Sequence, residues 1–354
     1  MLTVDPVEFS ALTLKEAVPT WKQIREQRER LRPATHKATN GCFVALQKFF
    51  GDTPLNRITA GQLRAYQIAR KANLIVTEHG ETRPWKKPAG NSCINHEMTA
   101  LAQLLHHCGL WASLALYYAP LWIPAWSPRD VPSEQEEQNL FAAAAGCREA
   151  MLAYWVACIT HNTSAAGCEL RGLKLGNLFF REPVIGTDGI DTNPSEVYIP
   201  PEIVKNFNRP RKIPLNPTAL WAFRQCYKRA LECGSTGPED YLFPLRLKIN
   251  KWDPKRPASK SWLRKSWGHL RRATGLPNLN PHDMRHLFIT RCFENDQETN
   301  TIEAVAGHVN PKMASYYSHQ RQRRKYAAVM AIHPAARKQP AHAMWKSRRD
   351  GTYS

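Results

Sequence analysis

A spaced set of His, Arg and Tyr residues within positions 281–319 constrains this chain more than any other segment. His282 and Arg285 are three residues apart, so a helix would place both side chains on one face. His308 follows a glycine, which is a common way to end a helix, and Tyr317 comes nine residues later. Arginine suits a phosphate clamp, histidine moves protons and tyrosine attacks phosphorus. This order of residues therefore indicates phosphoryl transfer from DNA to a tyrosine.

These motifs resemble the C-terminal signature of the tyrosine recombinases, the phage-integrase family. That signature consists of H-x-x-R, an apolar helix, G-H and a nucleophile in Y-x-H, and every part is present here. The resemblance implies a mainly α fold with a small antiparallel β-sheet, in which a SAM-like helical core-binding domain precedes the catalytic domain. It also implies double-stranded DNA as the partner, a homo-tetramer on paired sites, a monomer or weak oligomer without DNA, and no metal or other cofactor.

The resemblance assigns a role to each residue of the set. Tyr317 is expected to be the nucleophile, because its spacing from His308 and the Ser-His that follows select it over the adjacent Tyr316. Arg285 is expected to hold two non-bridging oxygens of the scissile phosphate. His282 would accept the proton of the attacking tyrosine, and His308 would donate a hydrogen bond to the phosphate.

Other residues are expected to support this set. His286 and His319 match family positions that are often histidine. In the family, a lysine on a β-hairpin precedes an R-x-[IV]-P-L strand and protonates the 5′-oxygen that leaves, and Lys205 holds that place here. Arg209 and Lys212 are rivals for this role. A solvated basic hairpin that only touches phosphates is the simpler alternative.

One family motif is incomplete. The family carries T-G-x-R-x-x-E-L-x-x-L, whose arginine is the first catalytic arginine, but Ala166 stands in its place and Ser164 replaces the glycine. Glu169 falls on the acidic position. Arg171 follows five residues after Ala166, roughly 140° around a regular helix, so it could serve only through an irregular turn. Either Arg171 serves in that way, or another basic residue reaches in, or the activity is impaired.

The composition indicates a folded protein with a polyanionic partner. Lys and Arg number 49 against 30 Asp and Glu, a net charge of +19, for which DNA is the default partner and a merely soluble basic protein the alternative. Nine cysteines without a C-x-x-C pair favour reduced thiols, and neither a disulfide framework nor a zinc site. No P-loop and no two-metal carboxylate cluster is visible, so no metal site is predicted.

Length and proline content predict two domains and a basic tail over residues 335–354. The resemblance implies that residues 1–128 form a helical DNA-clamping domain and residues 129–334 the catalytic domain. The interdomain linker is placed in the proline-rich stretch 119–132. Residues 98–128 carry no charged side chain, but prolines and histidines interrupt them, which favours a buried helix and linker over a membrane span. The N-terminus carries no export signal, so we expect a cytoplasmic protein of prokaryotic or phage origin.

Helix signals dominate the N-terminal part. Thr13-x-x-Glu16 predicts a helix that Pro19 ends or kinks and that Thr20 restarts. Further helices are predicted over residues 34–50, after Thr59-x-x-Gln62 and over 91–108. The residues between the last two, 73–90, are predicted to form a basic loop.

The second part is predicted to mix helices with short strands. A capping box at Ser133-x-x-Glu136 begins the domain, and residues 142–159 are predicted to be a strongly apolar helical region of the core. Short strands are predicted over residues 177–181, 195–199 and 211–215, the last at a sheet edge because it contains a proline. Helices are predicted over residues 216–232 and 259–274, with an extended piece over 241–244 between them.

The resemblance leads to a site-specific recombinase or integrase that cuts and rejoins DNA through a 3′-phosphotyrosine at Tyr317. Ala166 leaves a second function open, which is a catalytically impaired DNA-binding protein on the same scaffold with an architectural or regulatory role. A type IB topoisomerase, which shares the chemistry but needs no paired sites, is a third. Residues 320–332 and the basic tail are candidates for exchange between protomers.

Overall fold

The chain divides into two compact units, Met1–Ser127 and Pro128–Ser354, and the boundary falls inside the proline-rich stretch. The structure is a computed structural model of the 354-residue chain. It describes residues 5–28, 33–74, 88–124, 132–204 and 209–307. Each unit has a hydrophobic core of its own. None of the helices within these ranges combines the length and apolarity that a membrane crossing requires.

Helices make up the regular structure described for the first unit. They are α1 (Pro6–Ser10), α2 (Leu14–Arg28), α3 (Pro33–Phe50), α4 (Ala60–Lys71), α5 (Asn91–His107) and α6 (Trp111–Ala115). The predicted helices at α3, α4 and α5 are confirmed, but Pro19 lies inside α2 and does not end it. A proline in an early turn removes one main-chain donor, while Val18 and Trp21 beside it are buried in the core. Packing of these side chains outweighs the lost hydrogen bond.

A buried charged cluster joins α4 to α5. Glu97 accepts a hydrogen bond of 2.7 Å from the Tyr66 hydroxyl and forms an ion pair of 2.9 Å with the Nη2 of Arg70. The Nε of Arg70 donates to the other carboxylate oxygen at 3.1 Å, so the contact is bidentate. Burial, together with the neighbouring Glu97 carboxylate, raises the pKa of Tyr66 far above its ordinary value. This cluster fixes the packing of α4 on α5 within the helical core.

The second unit combines helices with short antiparallel strands, as the sequence predicts. Its described helices are α7 (Glu134–Ala145), α8 (Met151–Thr163), α9 (Gly167–Gly172), α10 (Pro217–Glu232), α11 (Arg264–Thr274), α12 (Pro281–Glu294) and α13 (Thr299–Ala306). Its described strands are β1 (Leu178–Phe179), β2 (Glu196–Ile199), β3 (Arg211–Pro214), β4 (Pro244–Lys248) and β5 (Lys251–Pro257). One sheet has the order β1-β2-β3, and β4 pairs with β5 in a hairpin.

The strand predictions are confirmed for the first sheet and incomplete for the hairpin. In the part of the chain that the structure describes, β3 pairs only with β2, with Val197 opposite Ile213 and Ile199 opposite Arg211. The β4–β5 hairpin was not predicted beyond residues 241–244. Prolines at both ends and register shifts along the hairpin hide the alternation that marks a strand.

The helical region predicted over residues 142–159 is interrupted at Gly146. There α7 ends, a 3₁₀ turn covers Arg148–Ala150, and α8 then begins. Glycine is a weak helix former and suits a helix end. The predicted helix over 259–274 begins later, at Arg264, after a series of turns. α8 packs against both α10 and α12 and so forms the centre of the unit, with its C-terminal end leading to the incomplete motif.

Candidate active site

The incomplete motif lies where α8 gives way to α9. α8 ends at Thr163, Ser164 takes a left-handed conformation with a φ of 56°, and Ala166 is the residue that caps the start of α9. Thr163 and Ala166 therefore do not lie on one continuous helix. The main-chain N–H of Ala166 donates to the Glu169 carboxylate at 2.8 Å. Position 166 is thus held at the N-terminal end of a new short helix, with its side chain half-buried.

Arg285 reaches this turn from α12. Its Nη1 donates to the carbonyl oxygen of Ser164 at 2.5 Å, although the two residues are 121 positions apart in the sequence. His282 and His286 lie on the same helix as Arg285, with ring centroids 4.6 Å apart and an angle of 85° between the rings. His282 is exposed, whereas Arg285 and His286 are half-buried. The packing of α12 against α8 thus brings H-x-x-R to the motif that lacks its arginine.

Arg171 lies on α9, as the last but one residue of that helix. Its side chain is half-buried and makes no hydrogen bond or ion pair with the residues that the structure describes. Arg171 therefore remains a candidate for the role of the missing arginine. Among the described residues, no hydrogen bond or ion pair connects it to Arg285 or to any other side chain.

A buried ion pair was not predicted from the sequence. Arg211, the first residue of β3, donates to both oxygens of Glu169, with distances of 3.0 and 2.8 Å. Each side chain is only 6% exposed. The signal was present in the alternation of β3, because Arg211 falls on the same face as the buried Ile213 and Leu215. A cation on the buried face of a strand requires a carboxylate partner.

The two rivals of Lys205 are both engaged. Arg209 donates from its Nη1 to the carbonyl of Gly307 at 3.1 Å. Lys212 lies on the exposed face of β3, with its Nζ 5.9 Å from the ring of Phe179. Lys205 lies outside the described residues. The other predicted residues that fall outside them are His308, Tyr316, Tyr317 and His319.

Comparison with known proteins identifies the second unit. The model of the phage integrase family matches residues 137–324, which is more than half of the chain. This range contains the turn at Ser164, the Arg211–Glu169 pair and α12.

Curated relatives match over part of the chain. The transposase from transposon Tn916 of Enterococcus faecalis is 25% identical over 196 residues, which are 54% of this chain and 48% of that protein. The tyrosine recombinase XerC of Staphylococcus carnosus is 27% identical over 70 residues, which are 20% of this chain and 24% of that protein. The chain thus spans about half or less of the length of the curated relatives it matches.

Solved structures match over most of the chain. The integrase of transposon Tn1549, in complex with circular intermediate DNA, has a TM-score of 0.57 at 17% identity, covering 84% of this chain and 93% of that one. A lambda integrase dimer bound to a COC′ core site has a TM-score of 0.55 at 13% identity, covering 89% and 81%. A lambda integrase tetramer bound to a Holliday junction also has a TM-score of 0.55 at 13% identity, covering 85% and 79%. At identities this low, the structural similarity shows a shared fold and no more, and it confirms the predicted fold class.

Proposed function

Because this chain belongs to the phage integrase family, we propose that it cuts and rejoins double-stranded DNA at specific sites through Tyr317. The observation that carries the proposal is the hydrogen bond from Arg285 to the carbonyl of Ser164. It joins two segments that are distant in sequence and that match separate parts of one signature. A guanidinium held at this turn is suited to a phosphate, because its planar N–H groups can donate to two non-bridging oxygens at once.

In the proposed reaction, the hydroxyl oxygen of Tyr317 attacks the scissile phosphorus while its proton passes to His282. Arg285 and His308 hold the non-bridging oxygens, whose negative charge grows in the transition state. The bond to the 5′-oxygen breaks, and Lys205 protonates that oxygen as it leaves. The product is a 3′-phosphotyrosine, which conserves the energy of the broken bond. Rejoining follows the same steps in reverse with a 5′-hydroxyl as the nucleophile, and no metal or other cofactor is needed.

The proposed partner is duplex DNA, held by both units of the chain. The net charge of +19 supports this partner, since neutralising phosphates is the main source of affinity for DNA. We assign the clamp to residues 1–128, catalysis to 129–334 and a basic tail to 335–354. The solved lambda integrase tetramer on a Holliday junction supports a homo-tetramer on paired sites. We propose that this assembly acts in the cytoplasm of a bacterium, because Tn916 transposase, a relative, comes from one.

A second function is favoured by one specific observation. Ala166 has no cationic side chain to offer, and the carboxylate beside it is occupied by Arg211. A protein with this site would bind DNA through the same surfaces but cleave it slowly or not at all. Losing one preorganised charge donor typically costs ~10²–10³ in rate, so slow cleavage is expected rather than none.

The test is covalent capture of DNA. The full chain is incubated with a pool of randomised duplex DNA, denatured in detergent, and separated by size, and any DNA attached to the protein is sequenced. We expect an adduct that contains a preferred sequence and that disappears in Tyr317→Phe. Tyr316→Phe, the matched control one residue away, is expected to keep the adduct.

The outcomes separate the functions. No adduct with the wild-type chain, together with tight DNA binding, would favour the impaired DNA-binding protein. Loss of the adduct in Tyr316→Phe but not in Tyr317→Phe would show that Tyr316, and not Tyr317, is the nucleophile. An adduct without any preferred sequence would favour a topoisomerase.

A further inference from the structure

The ion pair between Arg211 and Glu169 does more than neutralise two buried charges. Glu169 accepts hydrogen bonds from Nη1 and Nη2 of Arg211 and also from the main-chain N–H of Ala166. One carboxylate therefore connects β3 to the start of α9. Bidentate contacts between arginine and carboxylate fix the orientation of the guanidinium as well as its position. The remaining N–H groups of Arg211 therefore point in a set direction.

That direction is the C-terminal end of α13. The Nε of Arg211 donates to the carbonyl oxygen of Val305 at 2.7 Å. The last carbonyls of a helix lack partners within the helix and carry the negative end of its dipole, so a cation there is stabilising. One arginine thus links β3, the start of α9 and the end of α13.

Gly307 packs closely against the guanidinium of Arg211. It follows α13 with a φ of 79°, a conformation that favours glycine. A Cβ built on Gly307 would lie 2.7 Å from Nη1 of Arg211, which is closer than real Cβ contacts. The guanidinium therefore lies directly against the main chain of Gly307, and any side chain at this position would displace it.

Arg209 adds a second attachment at the same place. Its Nη1 donates to the carbonyl of Gly307 at 3.1 Å, and the same atom lies 3.9 Å from the Glu303 carboxylate. The carbonyl of Gly307 belongs to the peptide bond that joins it to His308. The two arginines thus hold the chain at the point from which His308 continues.

We propose that Arg211 is a positioning residue, which sets where His308 enters the active site through its contacts with Glu169 and the end of α13. This role rests on the proposed function, because it assumes that His308 contacts the scissile phosphate. A displacement of about 1 Å at a reacting group can cost ~10² in rate, so a modest shift of this end of α13 is enough to slow cleavage.

The central variant is Arg211→Lys, which separates the two roles of the arginine. Lysine keeps the charge that neutralises Glu169, but it has no planar fork with which to reach Val305 at the same time. The matched control is Arg181→Lys, which makes the same change in the Arg181–Glu196 pair of 2.9 Å, whose glutamate lies on β2 of the same sheet. A second variant, Arg211→Met combined with Glu169→Met, removes both buried charges together and so avoids leaving one of them without a partner.

Two quantities are measured on the full chain. The first is hydrogen exchange of the main-chain amides of Ala306 and Gly307, which reports how firmly the end of α13 is held. The second is the rate of covalent adduct formation at saturating DNA, with DNA affinity measured separately. In Arg211→Lys and in the double variant, we expect exchange about tenfold faster or more and adduct formation ~10²-fold slower, with affinity nearly unchanged. Arg181→Lys is expected to change neither quantity.

Each failure has its own meaning. Unchanged exchange at Ala306 and Gly307 in both Arg211 variants would overturn the attachment, whatever the activity. Faster exchange with adduct formation at the wild-type rate would overturn the positioning role. An equal effect of Arg181→Lys would reduce Arg211 to a general stabiliser of the sheet and would also overturn it. A wild-type chain that forms no adduct would refute the proposed cleavage, while hydrogen exchange would still decide whether Arg211 holds α13.

Discussion

Restoring the missing arginine with Ala166→Arg should raise the rate of DNA cleavage. Ala166 has a φ of −72° and a ψ of 150°, an extended conformation that any residue adopts, and its half-buried side chain borders solvent. Both oxygens of the nearby Glu169 carboxylate already bind Arg211. The new guanidinium would therefore not be neutralised by Glu169 and would remain available to the phosphate that Arg285 is proposed to hold.

The magnitude follows from the number of new contacts. One guanidinium can add up to about two charge-assisted hydrogen bonds to the phosphate in the transition state. A preorganised donor of this kind supplies on the order of 10–10³ in rate. Against this, a cation at the N-terminal end of α9 opposes the helix dipole by roughly 0.3–1 kcal/mol. That repulsion is present before and during the reaction, so it lowers the stability of the protein and not the rate of cleavage.

The assay is the rate of adduct formation on a duplex recovered from the covalent capture experiment, at saturating DNA. Cys168→Arg is the matched control, because it adds the same charge to α9 at an exposed position two residues away. We expect Ala166→Arg to exceed the wild-type rate and Cys168→Arg to match it. If Ala166→Arg changed nothing while Arg171→Ala abolished cleavage, Arg171 would already fill the role. The chain would then be a competent recombinase with a displaced first arginine.

Three further predictions concern binding and stability. DNA affinity should fall by ~10³–10⁵ between about 50 and 200 mM salt if roughly six to ten phosphates are neutralised, and a flat titration in a filter-binding assay would contradict the DNA clamp. Glu97→Gln should lower the free energy of unfolding by roughly 3–5 kcal/mol in urea denaturation, because it removes the buried carboxylate that binds Arg70 bidentately and accepts the Tyr66 hydroxyl, whereas Glu26→Gln, at a carboxylate that is 57% exposed, should cost under ~1 kcal/mol. Ser164→Gly should raise the free energy of unfolding by about 1 kcal/mol in the same assay. It relieves the strain of a left-handed conformation and removes a buried hydroxyl that has no partner among the described residues. Asn250→Gly, at a residue that is also left-handed but exposed, should change the free energy of unfolding by less.

Local signals in the sequence account for most of the fold. The capping boxes at Thr59 and Ser133 each mark the start of a helix correctly, because a side chain that caps a helix acts on its own neighbours. Pro19 does not end its helix, for the opposite reason. Whether a proline ends a helix depends on the packing of the side chains around it, which is a property of the whole helical core.

The active site divides in the same way. The absence of an arginine at position 166 is visible in the sequence, because a motif with fixed spacing exposes a missing member. The ion pair between Arg211 and Glu169 joins residues 42 positions apart, so no local pattern pairs them, although the alternation of β3 marks Arg211 as a buried cation in need of a carboxylate. The Glu169 carboxylate therefore binds the main chain of position 166 directly and is linked to the end of α13 through Arg211. An arginine restored at position 166 would act fully only while Arg211 occupies both oxygens of Glu169. Ala166→Arg should therefore lose most of its gain in cleavage rate when it is combined with Arg211→Lys. Equal gains in both backgrounds would show that the two sites are independent.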